Sequence, residues 1–151
     1  MRNVGCFAVI HYMIFLPELF YMSSQRQIWS SPAGRVERRN YNHNEIMSGI
    51  IAPTGASSVT VQFTFFSTES GYDILTLKSC TAISCLQTST LGTYSGSTIP
   101  SPVTSNSGII LIQWVTDSSV LVSGWTMSWS SVNPGGMNVT DSVRTTQPVH
   151  Q

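Results

Sequence analysis

Three acidic residues stand where they could act together. Glu69 and Asp73 share one tight reversal between the apolar, alternating segments that run from Phe63 to Leu77. Two carboxylates held that close repel unless one takes a proton or a cation sits between them. Asp117 lies much further on, where the apolar run ending Trp114-Val115 gives way to a serine-rich turn. It adds a third acidic oxygen donor at a strand end, and for such a set a calcium ion is the natural candidate. The competing expectation is that Glu69 and Asp117 are ordinary loop acids and that Asp73 caps its own turn.

The rest of the composition gives these acids weight. Charged residues make up 9% of the 151-residue chain, against about 25% in an average soluble domain. From Gly49 to Ser131 the only charged side chains are Glu69, Asp73, Lys78 and Asp117. Solubility there rests on Ser and Thr, so the three acids look placed rather than scattered. The formal net charge is zero, which gives no argument for nucleic acid or an anionic membrane as a partner, and no nucleic acid is expected.

Catalysis finds no support in the motifs. His-Glu-x-x-His, Gly-x-Ser-x-Gly and Asp-Thr/Ser-Gly are all absent, and the three histidines, His11, His43 and His150, fall outside the strand-forming region. A non-catalytic protein is therefore expected. Cys80 and Cys85 flank a four-residue stretch and could close a local disulfide, which would imply an oxidising compartment; two free thiols are the alternative. They lack the further Cys or His that a zinc site needs.

The elements that must position the acids are strands. Between Ser57 and Phe66, Val59, Val61, Phe63 and Phe65 alternate with polar residues and predict a half-buried strand. Further strands are expected over Gly49–Ala52, Tyr72–Leu77, Thr90–Tyr94, Ile109–Val115 and Trp125–Ser130, with a short one between Ser101 and Ser105. Ile109–Val115 is apolar on both faces, as a central strand would be. Short strands punctuated by Gly, Pro and Ser read as an all-β antiparallel sandwich. If they run up and down in turn, Glu69, Asp73 and Asp117 share one end of it.

Flanking this region, residues 1–24 form a signal-like or anchor-like apolar segment: Arg2, then an apolar run to Leu16, then Pro17 and Glu18. Any membrane contact is expected there alone. Residues 25–33 read as a linker, and the arginines Arg26, Arg35, Arg38 and Arg39 as a solvated polar stretch reaching Asn44. Residues 132–151 read as a flexible polar tail, where Asn138 is a glycosylation acceptor if the chain is secreted.

Taken together, residues 34–131 resemble the CUB domain, an extracellular β-sandwich module of jelly-roll type. The matching pieces are Gly34-Arg-Val36, Asn40-Tyr41, Ile51-Ala-Pro53, Phe63-Thr-Phe-Phe66 with Glu69, Tyr72-Asp73, Leu91 to Gly96, Ile99-Pro100, and Thr116 to Val120 leading to Gly124-Trp125. The Ser/Thr-rich composition is similar to variants found in algal and protist surface proteins. Departures are plain: the usual family cysteines fall on Met47, Gly71 and Ser95, none precedes Gly34, the Glu69–Asp73 loop is short, and Gly49 stands where a core Trp is common.

The resemblance implies a calcium site made by Glu69, Asp73, Asp117 and the main-chain carbonyl of Ser119, helped by Tyr41. It implies weak calcium binding, sub-millimolar to millimolar, as in extracellular modules generally. Expected partners are an extracellular protein or glycan, docking a Lys or Arg on the acidic end, and the expected location is extracellular or on a cell surface. The rival expectation is a calcium-independent structural or adhesive domain, or an accessory piece of a larger cell-surface protein or protease.

Overall fold

The computed structural model describes residues 26–134. The apolar segment 1–24 and Asn138 lie outside them. Nine strands appear in chain order: β1 (Gln27–Trp29), β2 (Ala33–Arg39), β3 (Ile46–Ile51), β4 (Ser58–Ser67), β5 (Ile74–Cys80), β6 (Thr88–Tyr94), β7 (Val103–Ser105), β8 (Ile110–Val115) and β9 (Gly124–Val132). One sheet has the order β1-β3-β8-β5-β6 and the other β2-β9-β4-β7. Every pairing is antiparallel except β1 with β3. The fold is all-β, as the strand pattern predicts.

β8 is the central strand of its sheet, and its composition explains why. Ile110, Ile112 and Trp114 turn inward, while Leu111 is buried on the outer face with Ile50 and Cys80. A strand apolar on both sides needs cover on both sides, and only a central position provides it. The main core lies between the sheets and joins these residues to Val59, Val61, Phe63, Leu75, Leu77, Trp125 and Met127. Trp114 and Trp125 meet edge to face with ring centroids 6.0 Å apart. Such pairs contribute about 0.5–1.5 kcal/mol beyond their buried area.

Two expectations are corrected by the long-range geometry. The alternation of β4 fails at its end, where the register slips between Phe63 and Phe65 opposite β9. This bulge sends Phe66, not Phe65, into the core. Phe65 instead packs outside under Arg39, whose guanidinium carbon is 3.7 Å from its ring centroid. The polar stretch before Asn44 is likewise not a solvated loop, since β1 and β2 occupy it. Three of its four arginines have partners: Arg35 pairs with Glu37, Arg38 with Glu45, and Arg39 lies over Phe65.

β1 also answers the oddity at Gly49. A Cβ at Gly49 would lie 2.5 Å from Cζ3 of Trp29, so the indole fills the space that a larger residue would take. Gly34 and Trp129 repeat the device on the other sheet, at 2.3 Å, and the two indoles meet with centroids 6.0 Å apart. A glycine under an aromatic ring is a known way to fill a sheet where a side chain is missing. Cys80 and Cys85 form a disulfide, with Cα atoms 5.0 Å apart, that closes a loop beside Ile50 and Leu111.

Candidate metal centre

The first acidic turn is built on Thr68. Its amide donates to the Gly96 carbonyl, the Gly96 amide donates to its hydroxyl, and that hydroxyl donates to the Asp73 carbonyl. The chain then reverses so tightly that the amides of Tyr72 and Asp73 both reach the Glu69 carbonyl. Gly71 supplies the left-handed backbone this requires, with φ 83°, and its amide donates to the Ser95 hydroxyl. Glu69 and Asp73 thereby face the same mouth.

The second part comes from the end of β8 and is tied to the loop after β2. Thr116 donates its amide to the Glu45 carbonyl and its hydroxyl to the Asn42 carbonyl, while the Glu45 amide donates back to that hydroxyl. The Asn44 amide donates to the Asp117 carbonyl. Asn40 and Asn44 hold φ values of 52° and 55°, a left-handed geometry that asparagine tolerates better than most. Asp117 in turn donates its amide to Asp73 Oδ1 at 3.2 Å, which joins the two halves.

Carboxylate oxygens of Glu69, Asp73 and Asp117 all lie within 4.8 Å of one another. Asp73 is fully buried, and the other two are partly open to solvent. Among the described residues no Lys or Arg forms a salt bridge with any of them. Asp117 Oδ1 accepts from the Ser119 amide at 2.8 Å, and the Ser119 hydroxyl reaches both Asp117 oxygens and, at 3.5 Å, Glu69. Desolvation, followed by the charges of Asp117 and Asp73, raises the Glu69 pKa above the usual glutamate value. Next to Ser119, Val120 holds φ 30°, where β-branched residues rarely sit; such strain clusters at functional loops.

Tyr41 stands behind this cluster. Its hydroxyl donates to Asp73 Oδ2 and accepts from the Val122 amide at 3.3 Å. Burial, then the bond to Asp73, pushes its pKa up to about 12, so the phenol keeps its proton and remains a donor. Its ring meets Trp114 edge to face at 5.1 Å.

Sequence reasoning missed Glu45. Its carboxylate accepts from Arg38 Nε and Nη2, from the amide and side chain of Asn42, and from Trp114 Nε1 at 3.2 Å. Burial works to raise its pKa, but the hydrogen bonds from Arg38 and Asn42 prevail and hold it below the usual value. The available signal was the rarity of charge itself: an arginine and a glutamate bracketing Asn40-Tyr41 in so neutral a chain call for a pairing.

The family model described as CUB domain matches residues 24–129. The chain belongs to the CUB family. CUB domains are binding modules, and solved structures that contain CUB domains are similar to this chain. A crystal structure of the MASP-1 CUB2 domain bound to Ca2+ has a TM-score of 0.60 at 22% identity, covering 69% of this chain and 96% of that one. The CUB1-EGF-CUB2 domain of human MASP-1/3 gives 0.61 at 20%, covering 70% of this chain and 42% of that one. The full extracellular region of zebrafish Gpr126/Adgrg6 gives 0.61 at 18%, covering 72% and 15%. At these identities the likeness concerns the fold. No curated protein matches the sequence.

The CUB sandwich thus brings together Glu69, Asp73, Asp117 and Ser119, with Tyr41 one bond behind them. The disulfide of this CUB domain lies at the opposite end of β5 from Asp73.

Proposed function

We propose that this CUB domain is a calcium-dependent extracellular binding module. Glu69, Asp73, Asp117 and the carbonyl of Ser119 would hold the ion, with Tyr41 keeping Asp73 in position. The observation that carries the reading is the convergence of three carboxylates within 4.8 Å without a Lys or Arg salt bridge among the described residues. Repulsion of that kind is relieved by a proton or by a cation, and the donors are all oxygen, as calcium's usual six to eight ligands are. Support also comes from a CUB neighbour solved with Ca2+ bound.

Bound calcium supplies two positive charges and leaves the three carboxylates one negative charge in excess. The acidic end then suits a Lys or Arg presented by an extracellular protein or glycan. The Cys80–Cys85 bond supports the same location, since disulfides persist in oxidising compartments. Thermal unfolding with and without calcium tests the metal reading. The parent chain is expected to gain stability with calcium and Asp117→Ala to lose that gain; an equal gain in both would sink it.

A further inference from the structure

An edge strand offers unpaired N–H and C=O groups to any other extended chain, and proteins commonly blunt such edges by shortness, proline or charge. Among the described residues the sandwich has four edges, β1 and β6 in one sheet and β2 and β7 in the other. β1 and β7 are three residues long, β7 follows Pro102, and β2 exposes Arg35, Glu37 and Arg39. β6 has none of these defences: it runs for seven residues without a charge or a proline. Leu86 to Thr90 are exposed one after another, so neither face of the sheet is covered at this end of the strand. The bulge in the β5–β6 pairing falls between Leu77 and Lys78, past Thr90, and leaves Thr88–Thr90 in regular register with Lys78–Cys80. The Thr81 amide donates to the Gln87 carbonyl, so Gln87 turns its backbone toward β5. Backbone direction alternates along a strand, hence Ser89 also faces β5 while Thr88 and Thr90 aim their N–H and C=O groups away from the sheet.

We propose that the Thr88–Thr90 end of β6 pairs antiparallel with the same segment of a second copy of this chain, about a twofold axis at Ser89. Alternation makes this register self-complementary. Thr88 of one copy meets Thr90 of the other and exchanges two backbone hydrogen bonds with it, the symmetric pair does the same, and Ser89 faces its own counterpart between them. Threonines set opposite one another add hydroxyl contacts. The protein already uses this device where the edge strand β7 meets β4, with the Thr60 and Thr104 hydroxyls 2.9 Å apart. Charge permits the pairing. Lys78 is the only charged residue of β5 and β6. Its two copies stand three strand spacings apart, about 14 Å, which exceeds the ~10 Å over which exposed charges interact at 0.1 M salt. Leu86, 90% exposed and two residues before Thr88, comes alongside the other copy's strand and loses part of its contact with water. This edge lies at the opposite end of β5 from Asp73 and does not depend on the calcium reading.

The register itself can be tested by cross-linking the full-length chain carrying Cys6→Ser. Ser89→Cys brings its Cα to about 4.5 Å from its symmetry mate, the spacing of a non-hydrogen-bonded pair and within disulfide reach. Thr90→Cys leaves about 8 Å, which is too far. Under air oxidation Ser89→Cys is expected to give a covalent dimer on non-reducing gels, and Thr90→Cys about tenfold less of it or none. Thr88→Pro removes an outward donor without breaking a bond to β5. Sedimentation equilibrium should show its self-association weakened by about tenfold or more relative to the parent, with an unchanged unfolding midpoint; should it fail to fold, the two cysteine variants decide alone. A parent that stays monomeric up to about 1 mM, no cross-link at position 89, equal cross-linking at positions 89 and 90, or undiminished association of a folded Thr88→Pro variant would each overturn the pairing.

Discussion

The phenol of Tyr41 donates to Oδ2 of Asp73, linking the loop after β2 to the turn before β5 across 32 residues of sequence. Asp73 is a carboxylate with no access to solvent, and its two oxygens are served by Tyr41 and by the Asp117 amide. Tyr41→Phe keeps the edge-to-face contact with Trp114 and removes only the donor. Leaving a buried acceptor short of a partner costs about 1–3 kcal/mol. Urea unfolding without calcium should show that loss, and the calcium concentration at half-maximal stabilisation should rise.

Glu45 ties the same loop to Arg38 and Trp114, so Glu45→Gln should destabilise the domain by about 1.5–3 kcal/mol, the range for hydrogen bonds to charged groups. The pH dependence has a definite sign. A carboxylate whose folded pKa is lowered adds stability above its unfolded value and loses it as pH falls through the folded value. That window lies below 4.5. Acid unfolding of Glu45→Gln should be less steep there than that of the parent, and identical steepness would contradict the pairing.

Glu69 behaves oppositely. Its raised pKa means that the calcium-free fold binds a proton more readily than the unfolded chain, so lowering pH toward 4.5 relieves repulsion and stabilises that form. On the proposed calcium reading, protons and the ion compete for the same oxygens. Calcium titrations followed by thermal shift should therefore give weaker binding as pH falls toward 4.5, and Glu69→Gln should flatten the trend.

Trp29 fills the volume above Gly49, so Trp29→Ala should cost about 3 kcal/mol, in line with large aromatic truncations. The loss is expected to be the same with and without calcium, because β1 lies at the sheet edge away from the acidic turn. A selective loss of calcium response would contradict this division.

The strands around the acids were readable because each carries its own periodicity: the first part of β4, the apolar run of β8 and the tryptophan-methionine alternation of β9. Counting their directions was enough to bring Glu69 and Asp117 to one end. Phe65 was misplaced because a bulge is a property of the pair β4–β9, not of either strand. Trp29 and Glu45 were overlooked for a similar reason. Each matters through a contact with residues far along the chain or across a sheet, and no local pattern announces a side chain that fills another residue's vacant space.

β5 carries a covalent clasp at Cys80 and follows directly from the acidic turn at Asp73. On the proposed reading the two ends of this strand are secured by different chemistries, one answering to thiols and the other to hard cations. Chelation should loosen the domain from the Asp73 pole alone, with amide exchange quickening towards Ile74 while Ser79 and Cys80 stay protected, so that the sandwich opens like a book still stitched along one edge.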